Sequence, residues 1–184
     1  MKVIATLPAI VTIGNFDGFH RGHQHLISQV VDRARILGLP ACAVTFDPHP
    51  RTVLRPDQPV QQLTPTREKV KLLRLAGIQD VWVCNFTPEI AQLEPKDFLT
   101  LVQARWPLAE LWVGWDFALG RGRSGSQDVL RRLGFEQGWR LQVVAPLQIE
   151  GEPVSSTRIR GLLGTNQYAE ASSLLGRATS TIAW

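Results

Sequence analysis

Cysteine is scarce in this chain. Only Cys42 and Cys84 occur among 184 residues, and no C-x-x-C pair or Cys/His cluster with ligand spacing accompanies them. That excludes a disulfide framework and a structural zinc site. Each cysteine lies in a short apolar run (41–46 and 80–84), as buried reduced thiols do. Long apolar runs are also missing. The longest stretch without a charged residue is 3–16, shorter than the ~20 residues that span a bilayer. Lys2 followed by 3–13 has the look of a secretory h-region, but Pro8 interrupts it and it runs into 14–17 without an A-x-A cleavage site. A reducing cytoplasmic location and no membrane partner are therefore expected. Repeats and low-complexity segments are absent.

What is present describes a globular protein. Hydrophobic residues make up 44% and charged residues 20%, enough apolar content for one well-formed core. Net charge is +4, and arginine supplies 16 of the 20 positive residues. Arginine forks onto phosphate or carboxylate in a way lysine cannot match. Seven arginines against four acids fall within 119–160. A phosphate-bearing ligand, a solvated basic face and a nucleic-acid surface all fit that excess. No nucleic-acid-binding motif supports the last.

Apolar segments alternate between strand and helix patterns. Residues 10–14, 41–46, 81–84, 111–114 and 140–145 read as short strands. Residues 22–37, 65–76, 95–105 and 126–137 read as helices, with 157–163 and 167–175 as short helices in the tail. Thr64 is the expected cap of the second helix, with Val70, Leu73 and Ala76 inward; Phe98, Leu101 and Val102 are the inward residues of the third. Residues 47–50 read as a loop because two prolines forbid regular pairing. The alternation implies a Rossmann-like, doubly wound, five-stranded parallel sheet, α/β in class. Ligands of such sheets bind beyond the carboxyl ends of the strands, at the switch point of strand order.

The loop after the first strand reads GNFDGFHRGH, residues 14–23, and leads into a helix. Gly14, Gly18 and Gly22 permit tight turns and close approach to a ligand. A helix N-terminus presents free N–H groups to a phosphate. His20 and His23 flank it as donors, and an ordinary imidazole near pKa 6.5 would have protonation within reach. A tight strand–helix turn alone would also use these glycines. Asp17, His20 and His23 are a metal alternative, without an evident fourth ligand.

Three further segments sit after strands. TFDPHP (45–50) places Asp47, Pro48 and His49 at a strand end, where His49 contacts a ligand or caps the turn. VGWDFALGRGRSG (113–125) carries Asp116, Arg121 and Arg123. VSSTRIR (154–160) begins a helix whose Ser155, Ser156 and Thr157 suit a cap and an anion. Ser156 and Arg160 are four apart and share a face, so both reach one polyphosphate. Arg158 points elsewhere.

The H-x-G-H arrangement resembles the nucleotidylyltransferase superfamily. The longer string GNFDGFHRGHQ resembles the FMN adenylyltransferase module of bacterial bifunctional FAD synthetases. TFDPHP, VGWDF and SSTRIR follow in that family's order over nearly the full chain. The family usually has Glu where Asp47 stands, an aromatic where Leu119 stands and often a polar residue at Trp115. The resemblance implies transfer of AMP from ATP to FMN, giving FAD and pyrophosphate, with Mg²⁺ carried by the substrate and no protein-only metal site. It implies His20, His23 and Arg160 as catalytic residues. Gly14, Asn15, Phe16, Gly22, Asp116, Ser155, Ser156 and Thr157 would join Arg160 in binding ATP. Asp47, Pro48, His49, Arg121 and Arg123 would bind FMN.

In the resembled enzymes an L-L-G-R-like string precedes a riboflavin kinase domain. Leu174-Leu175-Gly176-Arg177 occurs here and the sequence stops at Trp184. The expectation is a single adenylyltransferase-like domain over 1–184 without the kinase, either standing alone or as a piece of a longer chain, with Ile182 and Trp184 as an exposed or packed apolar end. The competing readings are a transferase with another acceptor, an inactive nucleotide- or flavin-binding regulatory domain, and a nucleic-acid-binding module.

Overall fold

The computed structural model describes residues 7–58 and 60–179. Residues 3–6 of the apolar run, Ile182 and Trp184 lie outside that range. Five strands form one parallel sheet: β1 (Ala9–Ile13), β2 (Ala41–Asp47), β3 (Asp80–Asn85), β4 (Leu108–Gly114) and β5 (Arg140–Val144), in the order β3-β2-β1-β4-β5. All five residues of β1 are buried, because helices cover both faces of this central strand. Strand order reverses between β1 and β4, which is the switch point.

The main helices are α1 (Arg21–Leu37), α3 (Thr66–Leu75), α5 (Pro95–Arg105) and α6 (Gln127–Gln137). Leu26, Ile27 and Val30 of α1 and Leu73 of α3 pack with Ile10 on one face. Phe98, Leu99 and Val102 of α5 and Leu130 and Leu133 of α6 pack with Val11 and Ile13 on the other. The alternation of Ile10 and Val11 between two clusters is the period of two expected of a central strand. A third cluster joins α7 (Ser156–Gly164) and α8 (Tyr168–Leu175) through Ile159, Leu163, Leu174 and Leu175, with Leu63 and Val154.

Several details depart from the sequence expectations. In α5 the buried residue is Leu99, while Leu101 is 42% exposed, because the core stripe runs Phe98-Leu99-Val102. In α3 the buried pair is Lys69 and Leu73, with Val70 and Ala76 only half-buried. Thr64 does not cap α3. Pro65 takes the N-cap position without a side-chain bond, and Thr64 spends its groups on tertiary contacts. Residues 47–50 are not all loop. His49 caps a one-turn helix, α2 (Pro50–Leu54), with Nδ1 accepting from the Arg51 amide at 3.1 Å. A second short helix, α4 (Pro88–Ala91), and a hairpin of β6 (Gln148–Ile149) and β7 (Glu152–Pro153) carry too few residues for a periodic signal.

Buried Glu110 of β4 ties that strand to α1. Arg33 Nε and Nη2 fork onto its carboxylate at 3.0 and 2.6 Å, and Trp112 Nε1 adds a bond at 2.8 Å. Burial opposes the charge, but these donors outweigh it and hold the carboxyl below its usual range.

Candidate active site

A cavity of about 670 Å³ opens at the carboxyl ends of β1 and β4, between the loops after β1, β2 and β4 and the start of α7. Gly14, Asn15, Phe16, His20, Gly22 and His23 line it from the first loop. Asp116, Leu119 and Arg123 line it from the loop after β4, and Ser155, Ser156, Thr157 and Arg160 from α7. His49 reaches it from the second loop, while Asp47, Pro48 and Arg121 are not among its lining residues. Phe46, within the TFDPHP segment, and Arg51, one residue beyond it, are lining residues without a sequence signal of their own.

The first loop is held under backbone strain. Phe16 and Phe19 adopt left-handed backbone, φ 49° and 37°, while both side chains are buried. Bulky residues rarely accept this conformation, and it persists only where surrounding structure imposes it. Of the three glycines of the loop, Gly18 alone has positive φ, and a Cβ there would lie 2.9 Å from Leu63 Cδ1. Gly14 instead makes room for the Phe16 ring, with Cζ 3.0 Å from an added Cβ. Gly22 makes room for α7: a Cβ would sit 3.1 Å from the Val154 carbonyl and 3.1 Å from His20 Nδ1. The N-termini of α1 and α7 thus meet at Gly22.

His20 is the N-cap of α1. Its Nδ1 accepts from the His23 amide at 3.3 Å. An accepting Nδ1 in a neutral ring leaves the proton on Nε2, so the cap sets the tautomer. The two imidazoles stack with centroids 3.7 Å apart, and Phe16 meets His23 edge-on at 5.4 Å. Burial, then the charges of Arg177 and Arg160, pulls the His20 pKa down to about 3. Burial, then His20, Lys69 and Arg177, holds His23 well below its ordinary value. The sequence expectation of accessible protonation is therefore corrected: both rings are neutral N–H donors at physiological pH. His23 Nδ1 is enclosed without a hydrogen-bond partner.

Asp17 organises the site, a role its place in the motif did not reveal. It is 3% exposed, and its carboxylate accepts from the Leu63 and Thr64 amides at 3.0 Å each and from Arg160 Nη2. Arg160 Nε donates to the Gln61 carbonyl at 2.8 Å, and Ser156 Oγ donates to the Asp17 carbonyl at 2.8 Å. Ser156 and Arg160 share a face as expected, but both grip Asp17. Two of the five guanidinium N–H donors of Arg160 are used in this way. Asp17 is thereby committed, and among the described residues no group of three His, Cys, Asp or Glu side chains is placed to hold a metal ion.

Ser155 caps α7, its Oγ accepting from the Arg158 amide at 3.1 Å. Arg158 points away, bracing the hairpin through the Ile149 carbonyl at 2.9 Å and Glu150 at 3.1 Å. Arg121 pairs with Glu94 at 3.0 Å, and Arg123 donates to the Asp116 carbonyl at 2.7 Å. Of the seven arginines in 119–160, only Arg123 and Arg160 line the cavity. The rest of that surplus does not face it. Asp116 stands exposed at the rim, Trp115 is half-exposed and Leu119 is buried. Thr45 Oγ1 fixes the Asn15 carbonyl at 3.1 Å.

A switch-point cavity that gathers two helix N-termini and two neutral histidine donors defines a doubly wound α/β protein with its candidate site at the carboxyl ends of the strands. The family described as FAD synthetase matches residues 4–158. The bifunctional riboflavin kinase/FMN adenylyltransferases of Pseudomonas fluorescens and Escherichia coli K12 are 33% and 34% identical to it, each over 91% of this chain and 54% of their own length. The chain thus spans about half the length of these curated relatives. A Geobacillus thermodenitrificans relative, 35% identical, is matched over 93% of this chain and 92% of its own length. A crystal structure described as a macrolide-efflux protein from Streptococcus pneumoniae superposes with TM-score 0.80 at 26% identity, over 92% of this chain and 57% of that one. This chain belongs to the FAD synthetase family. Among the described residues no helix is long and apolar enough to cross a membrane.

Proposed function

We propose that the cavity binds ATP and FMN and transfers AMP to FMN, giving FAD and pyrophosphate. The observation that carries this reading is the meeting of the α1 and α7 N-termini beside His20 in the switch-point cavity. Each terminus offers backbone N–H groups and the positive end of its dipole to a polyphosphate. The family and its curated relatives support the choice of nucleotide and acceptor.

An FMN phosphate oxygen attacks the α-phosphorus of ATP in line. A new P–O bond forms, the α–β bridging P–O bond breaks, and pyrophosphate departs with the electron pair. The protein supplies position and charge stabilisation rather than a covalent intermediate. His20 donates Nε2–H to the triphosphate, and His23 lies against it. Being neutral, both act as hydrogen-bond donors in a water-poor site, where such donors act most strongly in the transition state. The first turn of α7, with Ser155, Ser156 and Thr157, receives the outer phosphates. Arg160, fixed by Asp17, turns its remaining N–H groups toward them. Asn15, Gly14, Phe16 and Gly22 shape the ATP side. His49 and Arg123 line the acceptor side, whereas Asp47, Pro48 and Arg121 lie outside the cavity lining, Arg121 being paired with Glu94. Mg²⁺ enters on ATP, and Asp116 at the rim would hold it, since Mg²⁺ takes one or two carboxylates plus phosphates and water. Free, buried Cys42 and Cys84 support a reducing cytoplasmic setting.

The test is incubation with ATP, Mg²⁺ and FMN, with FAD followed by chromatography and riboflavin as a parallel acceptor. FAD formed from FMN is the expected result. Nucleotide binding without pyrophosphate release would overturn it in favour of a binding domain, and adenylylation of a different acceptor would overturn the choice of FMN.

A further inference from the structure

Arg177 stands outside the span matched by the family, 4–158, yet it reaches back to the loop that carries His20. Its Nη2 donates to the Gly18 carbonyl at 2.6 Å and to Thr64 Oγ1 at 3.3 Å, and its Nη1 donates to the Phe19 carbonyl at 3.1 Å. These carbonyls belong to the two residues immediately before His20, in the strained part of the loop, where Phe19 has φ 37°. Gln24 of α1 adds a second tie: its Nε2 donates to the Phe19 carbonyl and to the Leu175 carbonyl, each at 2.9 Å. Gly176 closes α8 with left-handed backbone, φ 70°, which turns the chain so that Arg177 faces the loop. A Cβ at Gly176 would lie 3.2 Å from Arg21 Cγ.

We infer that Arg177 is a positioning residue for His20, clamping the strained Gly18–Phe19 backbone so that the cap geometry and the Nε2–H donor are held toward the cavity. The inference rests on the adenylyl-transfer reading of that cavity. The fork matters, because a guanidinium satisfies two adjacent carbonyls at once and an ammonium does not do so in a fixed geometry. The guanidinium charge also helps keep His20 neutral, together with Arg160. Among the groups facing the two rings, Lys69 acts on His23, and the rings act on each other. Asp17 is paired with Arg160 and, with Asp47, also acts on Lys69, while Glu68 acts on Arg177.

The test uses the full chain with Arg177→Ala, Arg177→Lys and Arg177→Gln. Two quantities are read: kcat and KM for ATP and FMN, and the NMR titration of the His20 ring. For Arg177→Ala, kcat falls about tenfold, a fraction of the ~10²–10³ attached to losing one transition-state donor. KM stays within about twofold, and His20 titrates at higher pH than in the parent. Arg177→Lys restores the His20 titration but not kcat. Arg177→Gln keeps a donor without charge, so its kcat lies between those of the Ala variant and the parent. A folded Arg177→Ala with parental kcat and an unchanged titration overturns the inference. Should Arg177→Ala fail to fold, the decision passes to Arg177→Lys, where parental kcat at parental Tm overturns it. If the parent makes no FAD, the adenylyl-transfer reading falls. The His20 titration, which needs no turnover, still decides whether Arg177 sets the ring's environment.

Discussion

Acidification should weaken the fold through His20 by an amount the structure allows to be worked out. The ring has an ordinary pKa near 6.5 when the chain is unfolded and about 3 when folded, chiefly because burial disfavours the imidazolium. The folded value is depressed, so the unfolded state binds the proton first. The associated stability is fully present above about pH 6.5 and is lost as pH falls toward 3. At about pH 4.5 the unfolded ring is almost fully protonated and the folded ring almost fully neutral. That difference of roughly two units of proton affinity is worth about 3 kcal/mol. For a chain of this length it corresponds to about 6–12 °C in Tm. Other groups titrate over the same range, Glu110 and its Arg33 fork among them, so the parent is compared with His20→Asn. Asparagine keeps a capping acceptor for the His23 amide and does not titrate. The Tm difference between the two proteins should change by about 6–12 °C in favour of the variant between about pH 7.5 and 4.5. A difference that stays constant within about 2 °C would refute the reasoning, and so would a His20 ring that titrates near 6.5 by NMR.

Arg160→Ala removes the partner of a buried carboxylate. Tm should fall as well as kcat/KM for ATP, with a stability loss of about 3 kcal/mol by denaturant titration; a variant of parental stability would show that Asp17 does not depend on it. Gly22→Ala should raise the KM for ATP strongly at modest thermal cost, because the added Cβ presses on the Val154 carbonyl and separates the two helix N-termini. Parental KM in that variant would remove the convergence argument. His23→Ala should lower kcat/KM for FAD formation by ~10²–10³, and near-parental FAD formation would show that the ring is not a transition-state donor. Asp17→Asn should keep an Oδ1 acceptor for the Leu63 and Thr64 amides but set an NH₂ donor against the Arg160 guanidinium, lowering Tm more than His23→Ala does; equal melting temperatures would argue against the clamp role of Asp17.

The strand–helix alternation was legible in the sequence because each element repeats its signal over several residues. The five parallel strands and their switch point followed from it. The H-x-G-H junction was legible for the same reason: three glycines, two histidines and a helix start fall within ten residues. Asp17 was visible only as a motif letter. Its partners Leu63 and Arg160 lie 46 and 143 positions away, and no local pattern encodes such pairings. Arg177 is a lone residue after a helix and was legible only as part of a family string. The arginine surplus misled because sequence reports charge and not its partner: Glu94, Asp128, Glu136 and Glu150 take up much of it. The depressed pKa of the two histidines is not legible in the sequence, because enclosure by the third dimension is not written in nearest neighbours. Leu101 and Leu99 are equally apolar, so a shift of two positions in the helical stripe left no compositional trace.

The clamp on the first loop has a consequence for how the protein is made. β1 and the His20 loop leave the ribosome before the segments that brace them. The groups that hold the loop (Leu63, Thr64, Ser156, Arg160 and Arg177) emerge later, the last of them 158 residues after Phe19. Pairings of such long sequence separation form late. The His20 loop therefore stays unbraced until α7 and the residues after α8 have been made. The loop takes its final shape only once the tail helices dock, so that a chain broken before α8 would keep its sheet and leave the His20 loop without its Arg177 clamp.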